Sequence, residues 1–333
     1  MARRPALALC IPGFNAGRCL PRLLSSARAQ TAAFDEILVY DDGSSDDTAA
    51  VAEALGSRVI RGGVNRGCSV GKNVLAAAAA SDWVHFHDAD DDLYPHFVEV
   101  AAKWMAGRGD HDVVMIAYED QDENGVKLRE RRFDDRALRA DPIRETILEQ
   151  HNNCGIYRRE TFLAAGGFDV DPNVLYNEDD AMHCRLARAG LRFRAEPTVS
   201  AIVVQRSGSM SREHRRLCAR AKYHVLEKSA RLLPARYHGV IALKLWRTAG
   251  VCGTYLDWEY ADRCVHLAAG LGARVPPEGR LVFRSLCWLE PRVAVRVREA
   301  AIRVLRPRLR RESGGGTEGG RRRAARGGEG ARP

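Results

Sequence analysis

Five short apolar runs recur along the first 118 residues: ALALCI (6–11), EILVY (36–40), RVIR (58–61), WVHFH (83–87) and VVMIAY (113–118). Each has strand length, and the stretches between them carry helical periodicity. Strands separated by helices imply right-handed crossovers and a mainly parallel sheet, so the expected class is α/β. Ligands of such sheets gather beyond the C-terminal ends of the strands. PGFN, DDGSS and DADDD each follow directly on one of these runs. Three polar loops are therefore expected to converge on one sheet edge.

The loop HFHDADDDLYP sets Asp88, Asp90, Asp91 and Asp92 side by side. Their mutual repulsion calls for a cation, and carboxylate oxygens suit magnesium or manganese. Asp88 and Asp90 flank one small residue, so a bent loop can turn both to one point. Asp92 is read as the N-cap of the helix that follows. In VYDDGSSDDT a carboxylate at a strand end can accept the imide N–H of uracil or ribose hydroxyls. Gly43 allows the turn there, and Ser44 or Ser45 can cap the next helix. Asn177-Glu178-Asp179-Asp180 opens a helical segment that closes at Gly190. Two of its three acids suffice to complement a helix dipole, which leaves one for chemistry.

Beyond residue 118 the pattern mixes. GVKLRERRF reads as a hairpin arm, and NCGIYRRETFLAAGGFD as strand, short helix and glycine turn. Helical periodicity dominates from about 207 to 309. The last residues are rich in Gly and Arg and lack apolar content, so they are expected to be disordered. The expected organisation is a catalytic domain over 1–210, a basic helical region over 211–311 and a tail over 312–333. Nine cysteines are scattered without CxxC spacing, which suggests no zinc site and fits free thiols in a reducing compartment. No run is long enough for a signal peptide or a membrane span, so a cytoplasmic protein is expected. The formal charge of +9 is uneven, with acids concentrated in the first 180 positions and arginines in the last 130. Apolar residues interleaved with arginine in LCWLEPRVAVRVREAAIRVLRPRLRR suit peripheral contact with an anionic membrane face. Nucleic-acid binding would rest on charge alone and is not expected.

Across residues 6 to about 206 the chain resembles the family 2 glycosyltransferases of the GT-A fold. CIPGFNAGRCLPRLLSSARAQ, EILVYDDGSSDDT, NRGCSVGKN, WVHFHDADDDLYP, GGFD and NEDDAMHCRLARAG follow in that family's order. The resemblance implies a nucleotide-sugar donor, UDP-linked, a divalent cation (Mn or Mg), and transfer with inversion to a saccharide or lipid-linked acceptor. It implies that Pro12 and Asn15 border the nucleotide and that Asp42 contacts uracil. It puts Asp88 toward the ribose, Asp90 on the metal with Asp88 beside it, and Asp179 as the base next to Glu178. Arg185 matches an arginine frequent in the same helix. Lys72 stands where the family usually has arginine; the charge survives, but a bidentate phosphate contact does not. QRSGSMSRE supplies Arg206, Ser207, Ser209 and Ser211 but lacks the family's neighbouring His.

Two alternatives follow from the same residues. One is a nucleotide-sugar binder without turnover, which could dispense with Asp179. The other is a nucleotidyltransferase, which would be expected to carry a Gly-rich, Arg-containing loop after the first strand; PGFNAGRC is a poor version of it.

Overall fold

The computed structural model describes residues 4–107, 109–149, 151–206 and 214–311. Packing divides the chain into two compact units, Met1–Val174 with Glu178–Arg206, and Leu175–Asn177 with Ser207–Pro333. The expected boundary at 210, the serines Ser207, Ser209 and Ser211, and the tail 312–333 lie outside the described residues.

The first unit is built on one sheet. Its strands are β1 (Leu7–Gly13), β2 (Glu36–Asp41), β3 (Arg58–Arg61), β4 (Trp83–Phe86), β5 (Asp92–Leu93), β6 (Val113–Asp122), β7 (Lys127–Arg131), β8 (Gly155–Arg158) and β9 (Phe193–Gln205). The order is β3-β2-β1-β4-β8-β6-β9-β5, with β7 on β6. All five anticipated runs are strands. Pairing is parallel from β3 to β4 and between β6 and β9. β8 runs antiparallel between β4 and β6, and β5 and β7 are also antiparallel to their neighbours. GVKLRERRF is the hairpin arm anticipated, as β7.

β1 is buried along its whole length because strands flank it and helices cover both faces. Its side chains alternate between two cores. Leu7, Leu9 and Ile11 pack with α1 (Leu20–Arg28) and α4 (Phe97–Ala106). Ala8 and Cys10 face α3 (Cys68–Ala78) and the Phe86, Phe162 and Phe168 cluster. From β1 the chain steps through α1 to β2 on one side. From β3 it returns through α3 to β4 on the other. β1 and β4 thus flank the point where strand order reverses, the place where such sheets open a crevice. The loops after β1, β2 and β4 all end there.

Two capping expectations are corrected. Asp92 does not cap a helix: α4 starts five residues later behind His96, while Asp92 pairs with Ile202 as part of β5. A strand partner won over the local cap. Nor do Ser44 or Ser45 cap α2 (Thr48–Ala54), whose N-cap is Asp47. Their polar atoms bond Asn15 instead, across the loops.

The second unit is helical: α9 (Arg215–Leu232), α10 (His238–Thr254), α11 (Trp258–Gly270), α12 (Leu281–Leu289), α13 (Pro291–Leu305) and α14 (Arg308–Arg311). α5 (Asp135–Ala140), α6 (Pro142–Leu148), α7 (Arg159–Ala164) and α8 (Glu178–Arg188) belong to the first unit. No described helix is long and apolar enough to cross a membrane.

Candidate active site

Asp42 shows how the site is anchored. Its Oδ1 accepts the backbone N–H of Arg66 at 2.9 Å and its Oδ2 that of Gly67 at 2.7 Å. These are the residues that lead into α3, so a carboxylate trailing β2 fixes where α3 begins. Asn15 stitches the neighbouring loop: left-handed at φ 51°, it accepts from Ser45 N at 2.9 Å and donates its own N–H to Ser44 Oγ. Pro12 is buried behind it, 3.4 Å from where a Cβ on Gly71 would lie. Pro12, Asn15 and Asp42 therefore share one corner of the sheet edge.

One turn into α3 comes Lys72, whose side chain is only 1% exposed. Its ammonium lies 3.2 Å from Asp88 Oδ1 and 3.5 Å from Asp179 Oδ1. It also sits over the Phe168 ring, 5.0 Å from the centroid. Burial pulls the ammonium down, but Asp179 and Asp88 outweigh it and hold Lys72 well above its ordinary value. A buried lysine stays charged only when paired in this way.

For Asp88, burial pushes the carboxyl up, yet the Lys72 ammonium wins and leaves it below the usual range. Asn153 Nδ2 approaches its Oδ1 at 3.5 Å. Asp90 is raised, by burial first and by Asp88 second. Its backbone carbonyl accepts from Arg206 at 3.1 Å and Arg22 at 3.4 Å, so two arginines brace the acidic loop. Asp91 turns inward: its Oδ1 accepts from Val204 N at 2.8 Å, and burial with Asp88 and Asp90 holds it well above the carboxylate range. Asp92 faces out to Arg22 at 3.4 Å. The four aspartates thus divide into an inward anchor, Asp91, two ion-paired side chains, Asp88 and Asp92, and Asp90, which feels both Asp88 and Arg206.

Asp179 lies in the first turn of α8. That position alone would favour its anion. Burial overrides it: with Lys72 lowering and Glu178, Asp88 and Asp180 raising, the carboxyl is pushed up to about 7. Its Oδ1 is shut off from solvent and has no hydrogen bond among the described residues. Glu178 accepts from the thiol of Cys68 at 3.2 Å, and burial pushes that thiol up.

Arg185 turns away from this centre. Its Nη1 donates to Gly166 O at 2.8 Å, and its Nη2 lies 3.1 Å from Asp169 Oδ1. Asn73 clamps the same turn from the other side, donating to Phe168 O at 3.0 Å and accepting from Phe168 N at 2.8 Å. Gly167, at φ 57°, has Asn73 Oδ1 only 2.4 Å from any Cβ placed there, which is why glycine stands in GGFD. Arg185 and Asn73 hold the turn that carries Phe168 beneath Lys72.

A divalent cation fits this chemistry. Asp88 and Asp90 are hard oxygen donors whose proximity already raises Asp90. Among the described residues no set of three His, Cys, Asp or Glu side chains converges on one point. Such an ion would be held by few protein oxygens and complete its shell with water and phosphate, as magnesium-type sites do.

Sequence reasoning missed Asn153, Arg22 and the inward turn of Asp91. All three depend on pairings across the fold, and no local pattern marks them.

Residues 8–164 match the profile of Glycosyl transferase family 2. This segment belongs to that family. Asp179, Glu178 and Arg185 lie beyond it. The chain is 29% identical over 188 residues to the PGL/p-HBAD biosynthesis glycosyltransferase Rv2957 of Mycobacterium tuberculosis (strain ATCC 25618 / H37Rv), covering 54% of this chain and 70% of that protein. Other matches span 60% of one curated relative's length and 21% of another's. Among solved structures it resembles the mannosyltransferase PcManGT from Pyrobaculum calidifontis in complex with GDP-Man and Mn2+, with TM-score 0.59, 18% identity, and 93% and 84% of the two chains covered. It also resembles S. aureus TarS 1-349 in complex with UDP-GlcNAc, with TM-score 0.56, 16% identity, and 90% and 92% covered. The fold of this chain is that of the GT-A glycosyltransferases.

Proposed function

We propose that this protein transfers a hexosyl or N-acetylhexosaminyl group from a UDP-sugar to an acceptor hydroxyl, with inversion, in the synthesis of a polysaccharide or glycolipid. The observation that carries this reading is the bridge Asp88–Lys72–Asp179. It joins the acidic loop after β4 to a carboxylate poised near neutrality, as a general base requires. Asp179 takes the acceptor proton while the acceptor oxygen attacks the face of the anomeric carbon opposite the leaving diphosphate. Lys72 keeps Asp88 ionised and restrains how far Asp179 rises. Asp42 and Asn15 hold the loops that border the nucleotide, and Asp88 and Asp90 would hold a Mn or Mg ion. When bound, that ion neutralises charge building on the diphosphate. Relatives named for PGL/p-HBAD and succinoglycan biosynthesis support the product class, and a neighbour bound to UDP-GlcNAc supports the donor. A binder without turnover could dispense with Asp179, which here sits beside the Lys72 and Asp88 pair.

The test is a thermal-shift series with UDP-GlcNAc and UDP-glucose, each with manganese, followed by UDP release in the presence of saccharide and lipid-linked acceptors. Asp179→Asn should keep the donor-induced shift and lose acceptor-dependent release. Release at the wild-type rate from Asp179→Asn would remove Asp179 as the base.

A further inference from the structure

The C-terminal helices carry a feature that sugar transfer does not use. On α12, Leu281, Trp288 and Leu289 are 78%, 75% and 79% exposed, at the i, i+7, i+8 spacing of one helical face. On α13, Val293, Val297 and Val304 continue an outward apolar stripe, ending beside Leu305 at 78%. Large exposed apolar side chains clustered in this way mark an interaction surface.

Charge says what it meets. Residues 280–311 contain ten arginines against two glutamates. Both glutamates are already engaged: Glu290 with Arg292 at 3.2 Å, and Glu299 with Arg303 at 2.9 Å and Arg310 at 2.7 Å. Arg296 is held by Asp262 at 2.7 Å. Arg280, Arg284, Arg306 and Arg308 have no carboxylate partner among the described residues. The surface is therefore apolar and cationic at once. Beside it lies a cavity of about 930 Å³, lined by Trp246, Phe283, Ile302 and Leu305 and carrying Arg280, Arg298 and Arg306.

We propose that this face docks on an anionic phospholipid bilayer, with Leu281, Trp288, Leu289 and Val304 at the acyl boundary and the unpaired arginines among the headgroup phosphates. Guanidinium groups on flexible stems reach outward to phosphate while their neighbours bury apolar surface. A second copy of the chain is a poorer occupant, because a two-fold interface sets the same guanidiniums against each other. Nucleic acid would satisfy the arginines but leave the aliphatic side chains in water. This inference stands independently of the sugar-transfer reading.

Flotation of the full chain tests it, with vesicles of phosphatidylglycerol mixed into phosphatidylcholine against vesicles of phosphatidylcholine alone. Wild type should float with the anionic vesicles only, with a blue shift of tryptophan emission. Trp288→Phe should still float but lose most of that shift. Leu281→Ser with Leu289→Ser should weaken partitioning at least about tenfold. Arg280→Gln with Arg306→Gln should weaken it and flatten its salt dependence. These side chains are exposed, and an unchanged circular-dichroism melt confirms folding of each variant. Failure of wild type to float with anionic vesicles overturns the proposal, as does equal flotation with neutral ones. A dimer in sedimentation equilibrium that Leu289→Ser breaks, without flotation, gives the face to a second copy instead. No donor is present, so a negative result leaves the transfer reading intact.

Discussion

Lys72 Nζ lies 3.5 Å from Asp179 Oδ1, and the same ammonium touches Asp88. One fully buried cation therefore sets the charge on both sides of the crevice.

Replacing that cation should be costly. Lys72→Met leaves two carboxylates facing each other without compensation, with an expected loss of roughly 3 kcal/mol, the low end for a broken buried pair because both partners keep some solvent. Chemical denaturation measures it. Lys72→Arg should recover much of the stability. In Lys72→Met the acidic limb of the activity profile should also move to higher pH, because the group that lowers Asp179 is gone.

The pH dependence follows from Asp179 itself. A base must be unprotonated, so acceptor-dependent UDP release should rise with pH through about 7 and level off above it. The stability consequence has the opposite sense. Folding raises this carboxyl, so the native state favours its proton, and its contribution is lost as pH climbs from the ordinary carboxylate range through 7. A profile already flat from pH 5 upward would contradict this assignment.

Asp90→Ala should abolish the extra thermal shift that manganese adds to UDP-glucose. Its carboxylate supports no described backbone hydrogen bond to another residue, so the ligand-free melt should change little. Asp91→Ala should do the reverse, because Val204 N loses its acceptor; an unsatisfied buried donor costs about 1–3 kcal/mol. The contrast between adjacent aspartates separates ligand binding from loop anchoring.

Gly71→Ala tests the packing behind the nucleotide corner. A Cβ there would meet Tyr40 Cδ1 at 2.7 Å and Pro12 Cβ at 3.4 Å. An overpacking cost of about 1–3 kcal/mol is expected, read as a lowered melting temperature, with weaker donor binding if Pro12 is displaced.

Local chemistry written along the chain was enough to locate seven of the nine strands, all but β5 and β9, together with the polar loops and the order of the family motifs. Apolar period and turn residues act over a few neighbours, so ALALCI, WVHFH and GGFD declare themselves without any partner. The role of each acid was decided elsewhere. Asp88, Asp90, Asp91 and Asp92 are chemically alike and adjacent, yet Lys72, Arg206, Val204 and Arg22 treat them differently, and those neighbours arrive only when distant elements pack. Burial and Coulomb energies depend on distance through space, to which position along the chain is a poor guide. The same reason explains the failed Asp92 cap: a helix start within reach in sequence lost to Ile202, brought alongside by β9.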